Sequence, residues 1–150
     1  MDQTKTSVEG APRCRAVVVT CIDHRFVDPL HRFLEREGLA GAADVIAWPG
    51  GAVAMSTSDA AVLEGALAQA CSLHDPREVI LIAHHDCGRI GGSGRFPGRE
   101  AEIATLETAL AIASEIVAER FPALRIRLVR FDERGPVPVG IPLAGSRPKG

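Results

Sequence analysis

The sequence predicts an α/β fold: a mostly parallel β-sheet of four to five strands flanked by helices. Two observations carry this. Short β-branched apolar runs such as Arg15 to Thr20 (RAVVVT) show little alternation, the pattern of strands buried on both faces. Segments with helical spacing separate these runs, and strands alternating with helices argue for parallel strands joined by right-handed crossovers. At 150 residues the chain is expected to be a single domain over 1–150, with a loose polar arm over 1–13 and an irregular tail over 135–150.

Arg15 to Thr20 is the first strand. Asp28-Pro29 then opens a helix, Asp28 as N-cap and Pro29 at the first helical position. Leu30, Phe33 and Leu34 share its apolar face, and Gly38 ends it. Asp44 to Trp48 is the second strand, closing in Pro49-Gly50-Gly51. Ser56, Thr57 or Ser58 is expected to cap the next helix. That helix is rich in alanine, suits close packing on a sheet, and ends at Asp75-Pro76. Val79 to Ala83 is the third strand.

Arg89 to Pro97 is a glycine-rich loop whose glycines permit mobility. It lacks the Gly-Lys-Ser/Thr or GxGxxG pattern of a phosphate loop. Glu100 to Arg120 is an amphipathic helix, and Pro122 stops it. Ile126 to Phe131 alternates, as expected of a strand near an edge. Val137 to Leu143 is at most a ragged edge strand.

Composition excludes several functions. A net charge of -2 with arginines spread along the chain offers no nucleic-acid or membrane footprint. Aromatic residues make up 4% with no Tyr, which argues against stacking on bases. No apolar run approaches the roughly 20 residues of a membrane span. Met1 to Val8 carries no secretory apolar region, so a cytoplasmic location is expected. There, the four cysteines serve as thiols or metal ligands rather than disulfides.

The chemistry gathers at strand ends. In open α/β sheets, ligands bind beyond the carboxyl ends of the strands. Cys21, Gly50-Gly51 and His84 to Cys87 all fall there. Zinc favours thiolate and imidazole, and a catalytic site keeps three protein ligands with one position open. Cys21, His84 and Cys87 supply that set. The His-x-x-Cys spacing lets one tight turn present two of them. If the chain stays extended past Cys21, then Cys21, Asp23 and Arg25 line one wall. Arg25 would pair with Asp23 and keep it ionised, and Asp23 would orient a water activated by the metal.

Cys21-x-Asp23-x-Arg25, followed by His84-x-x-Cys87-Gly88, resembles the paired signature of the β-class carbonic anhydrases. The resemblance runs from about Val17 to Ile90. It implies one Zn2+ per chain on Cys21, His84 and Cys87, with Asp23 and Arg25 governing access to it. It implies reversible hydration of carbon dioxide to bicarbonate by a zinc-bound hydroxide, and a homodimer or larger homo-oligomer. Some family members have a closed state in which the aspartate replaces water on zinc, which implies Asp23 as the fourth ligand of such a state here. Some relatives hydrolyse carbonyl sulfide or carbon disulfide, which is a second reading; a non-catalytic zinc-binding protein is a third.

Three departures stand out. Trp48-Pro49-Gly50-Gly51 replaces the family's usual Asn-Ala-Gly type of segment, which shapes the substrate pocket; Gly50 and Gly51 are the candidate substrate-binding residues. His24 stands where serine is common and could relay protons at the rim. Only a short arm precedes the first strand. Outside the signature, Cys14 is expected to be inert or exposed. Cys71-x-x-His74 has metal-like spacing but no partner pair, and His85 and Asp86 are expected to be structural.

Overall fold

The computed structural model describes residues 12–140. Its strands are β1 (Ala16–Cys21), β2 (Ala43–Trp48), β3 (Glu78–His84), β4 (Arg125–Asp132) and β5 (Gly135–Pro138). Its α-helices are α1 (Val27–Arg36), α2 (Ala60–His74) and α3 (Arg99–Arg120). The strands form one sheet in the order β2-β1-β3-β4-β5. The first four are parallel, and β5 returns antiparallel on β4. Among the described residues, no helix is long and apolar enough to cross a membrane.

The unbroken apolar runs of β1 and β3 follow from their central place. Val17, Val19, Val79 and Leu81 pack on one face with Leu63 and Leu67 of α2 and Leu106 and Leu110 of α3. Ala16, Val18, Ile80 and Ile82 point to the other face, against Leu30, Phe33 and Leu34 of α1. With period-two alternation and both faces covered, every position must be apolar. The helix leaving β1 thus covers one face, while those leaving β2 and β3 cover the other. The loops from β1 and β3 diverge, opening a crevice at their carboxyl ends.

Several local expectations are corrected. α1 starts at Val27, so Asp28 and Pro29 lie inside its first turn. A preceding 3-10 turn, His24–Phe26, takes the cap instead, with the Asp23 side chain accepting the Arg25 N–H. Gly38 ends α1 as expected, at φ +70°. α2 begins after Asp59, not after Ser56, Thr57 or Ser58, because Gly51–Ser56 is itself a buried 3-10 helix. Thr57 shapes the entry: its hydroxyl accepts the Asp59 N–H at 3.1 Å.

The glycine-rich loop is organised into two 3-10 turns, Gly88–Ile90 and Ser93–Arg95. The tail is not irregular from residue 135. Gly135–Pro138 pairs with β4, and its two prolines are tolerated because the strand lies at the sheet edge. The remaining tail from 141, and the arm before residue 12, lie outside the described residues.

Candidate metal centre

β1 and β3 are neighbours, so their last residues, Cys21 and His84, emerge side by side. The chain turns tightly after His84, with Asp86 in the left-handed region at φ +58°, and presents Cys87 three residues on. The donor atoms of Cys21, His84 and Cys87 lie within 4.8 Å of one another. His84 is 2% exposed and Cys87 1%.

The His84 ring is fixed on both sides. Nδ1 lies 2.7 Å from the His85 carbonyl oxygen, which assigns its proton there. The Phe26 ring packs on the imidazole with centroids 4.2 Å apart. Nε2 is then left as a bare acceptor, buried and with no hydrogen-bond partner. Such an orphan is costly in a native interior. It is the arrangement of a metal-binding histidine whose other nitrogen is anchored.

The sulfurs tell the same story. The neighbouring Cys87 thiol, with lesser help from the Gly50 N–H, draws the Cys21 thiol far below its ordinary range. The same contact, with burial, pushes Cys87 up. A cation between the two sulfurs would displace their protons. Two sulfurs and one imidazole, buried and converging, fit zinc.

Asp23 and Arg25 meet, but not along an extended wall. β1 stops at Cys21, and the pair closes across the 3-10 turn. Asp23 accepts the Arg25 backbone N–H at 2.9 Å and its guanidinium N–H at 2.7 Å. Arg25 holds the Asp23 carboxyl well below the usual carboxylate range. The Asp23 carboxylate also faces the donors, with Oδ2 3.8 Å from His84 Nε2. The same guanidinium donates to the Asp86 carboxylate at 2.9 Å and its carbonyl at 2.8 Å. Arg25 thus ties the end of β1 to the end of β3. His24 stands at the rim, its side chain 94% exposed and 3.7 Å from Asp23.

Gly50 and Gly51 sit against Cys21. The Gly50 N–H donates to the Cys21 sulfur at 3.3 Å. At Gly51, φ is +55° and a Cβ would fall 2.5 Å from the backbone of Thr20 and Cys21. Only glycine allows that approach.

Other residues around the site are not marked in the sequence. Glu102 of α3 is buried. It accepts the Asp86 N–H at 2.9 Å and the Ser93 hydroxyl at 2.7 Å, and pairs with His85 at 2.8 Å. In sequence it is one more charge in a helical first turn. Arg89 reaches across Gly50 to Asp59 at 2.8 Å, where the Trp48 indole N–H also donates at 3.2 Å. Arginine directly after the Cys-Gly pair was the one available signal. Cys71-x-x-His74 does not act as a pair of its own, since the His74 ring turns to Asp44 at 2.7 Å.

A family model described as "Putative carbonic anhydrase" matches residues 11–120. Uncharacterised proteins of Rickettsia conorii and Rickettsia bellii are similar at 23% identity over 117 residues and 22% over 133. These matches take in 73% and 84% of this chain, but only 63% of the R. conorii protein and 81% of the R. bellii one. Among solved structures, a carbonic anhydrase from Glaciozyma antarctica superposes with a TM-score of 0.60 at 20% identity, covering 91% of this chain and 88% of its own. A β-carbonic anhydrase from Trichomonas vaginalis superposes at 0.52 with 20% identity, covering 89% and 86%. At such identities these two structures speak for the fold.

Proposed function

This chain belongs to the carbonic anhydrase family as a divergent β-class member, and on that premise we propose that it reversibly hydrates carbon dioxide to bicarbonate and a proton. The observation that carries the reading is the buried, unpartnered Nε2 of His84 facing two cysteine sulfurs. Cys21, His84 and Cys87 would hold one zinc ion per chain. Zinc bound there supplies a Lewis acid that brings the pKa of water down to about 7.

The remaining roles belong to the chain. Asp23, kept ionised by Arg25, accepts a hydrogen bond from the attacking water and orients it toward the carbon. With Asp23 held by Arg25 in this way, its carboxylate serves the water rather than acting as a fourth ligand. Arg25 also keeps the crevice in register through Asp86. Gly50 and Gly51 form the wall beside Cys21, where the missing Cβ of Gly51 lets the loop close on the β1 backbone and the Gly50 N–H holds the Cys21 sulfur. His24 passes the released proton to solvent. The enzyme works as a homodimer or larger homo-oligomer, which light scattering tests.

Stopped-flow CO2 hydration, run beside metal analysis, is the decisive experiment. About one zinc at the Cys87-dependent site with CO2 turnover near neutral pH is the expected result. Zinc bound without hydration would refute the reading in favour of a binding protein. Turnover of carbonyl sulfide or carbon disulfide alone would move it to the sulfur analogues.

A further inference from the structure

We propose that Cys14, Asp44 and His74 form a second divalent-metal site, suited to zinc, at the amino-terminal edge of the sheet. Their donor atoms lie within 4.8 Å of one another. Cys14 precedes β1, Asp44 is the second residue of β2, and His74 ends α2. The first centre lies at the opposite end of β1, roughly 20 Å away at about 3.3 Å per residue. The two sites share no ligand, so this inference stands apart from the proposed activity.

Backbone hydrogen bonds fix all three positions. The Cys14 N–H donates to the His74 carbonyl at 2.9 Å, and the Arg15 N–H to the Ala42 carbonyl at 2.7 Å. Parallel pairing sets Val17 opposite Asp44. The His74 ring is oriented by Asp44, with Nδ1 2.7 Å from Oδ2. Tetrahedral zinc separates its donors by roughly 3.3–3.8 Å, so side-chain shifts of about 1 Å close the trio on an ion. There is room for them, because the His74 and Asp44 side chains are 31% and 28% exposed.

Cys14, expected to be inert or exposed, is half-buried, and the partial exposure of His74 and Asp44 leaves the trio open to an ion and a fourth, water ligand. Burial, with the Asp44 carboxylate beside it, pushes the Cys14 thiol up. A cation reverses that balance, and a thiolate with a carboxylate matches a double positive charge. One thiolate, one imidazole and one carboxylate are a borderline-soft set that suits zinc. Held so, the ion staples the entry to β1, the start of β2 and the end of α2.

The test is Co2+ and Zn2+ titration of the full chain and of Cys14→Ser, His74→Ala and Cys87→Ser. Cys14→Ser and His74→Ala should each bind one equivalent fewer than the unmodified chain. Cys14→Ser should also lose about one third of the thiolate-to-cobalt absorption, since one thiolate of three is gone. Circular dichroism identifies any variant that has lost its fold, and His74→Ala then stands in for Cys14→Ser, or the reverse. If both folded variants bind as many equivalents as the unmodified chain, the second site is overturned, whatever Cys87→Ser does. Loss of an equivalent in Cys87→Ser reports on the first centre alone.

Discussion

Glu102 offers the most telling perturbation, because a buried carboxylate holds the turn that carries two of the three candidate metal ligands. Its side chain is 2% exposed and takes three partners: the Asp86 N–H, the Ser93 hydroxyl and the His85 ring. Glu102→Ala strands both donors, each worth roughly 1–3 kcal/mol when left unsatisfied. It also removes the partner of His85, whose partial exposure screens the loss to about 1 kcal/mol or less. The expected destabilisation is about 3 kcal/mol, a sizeable part of the roughly 5–15 kcal/mol of an ordinary domain. Glu102→Gln keeps the shape and one acceptor and should lose about 1–2 kcal/mol.

Urea unfolding followed by circular dichroism measures both variants. The pH dependence adds a second check. Burial raises the Glu102 carboxyl, but Ser93, the Asp86 N–H and His85 outweigh it and hold the group below its ordinary value. A carboxyl lowered in the folded state stabilises above its unfolded pKa of about 4.3 and loses that contribution as pH falls through the folded value. The gap between the unmodified chain and Glu102→Gln should therefore be steady from neutral pH down to mildly acidic pH and narrow below it. A Glu102→Ala variant within about 0.5 kcal/mol of the unmodified chain at neutral pH would refute the reasoning.

Other perturbations probe the remaining links. Gly51→Ala forces a Cβ to 2.5 Å from the β1 backbone at φ +55°, so it should destabilise by about 2–4 kcal/mol in urea unfolding; a loss below ~1 kcal/mol would mean the contact relaxes freely. Leu81→Ala, at a side chain with 0% exposure in the central strand, should lose about 2–5 kcal/mol by the same method. Cys87→Ser should abolish zinc binding at the strand-end centre, read by metal analysis after dialysis. Asp23→Asn should keep the metal but slow CO2 hydration by about 100-fold, and unchanged turnover would remove Asp23 from the mechanism.

The amino-acid order by itself determined the layered α/β fold and the ends where chemistry gathers. Both are written in local physics. Unbroken β-branched runs demand burial on two faces, and a thiol or imidazole at the end of such a run must emerge where β1 and β3 emerge. The Cys21, His84 and Cys87 trio was legible because parallel neighbours bring their ends together and because His-x-x-Cys spans one turn. The Asp23–Arg25 pairing was legible too, although through a cap on a 3-10 turn rather than an extended segment.

Only the tertiary structure decided the rest, since those contacts join residues far apart with no periodicity to announce them. Glu102 under the His84–Cys87 turn, Arg89 laid over Gly50 toward Asp59, and Arg25 bridging to Asp86 are side-chain reaches between separate elements. The same holds for Cys14, Asp44 and His74, which are scattered in sequence. They meet because β1 and β2 pair in parallel and α2 delivers its last residue to the edge where both strands begin. Spacing along a chain reveals partners within one turn or on adjacent strand ends; partners across packed layers are set by register and helix placement, which local sequence does not encode.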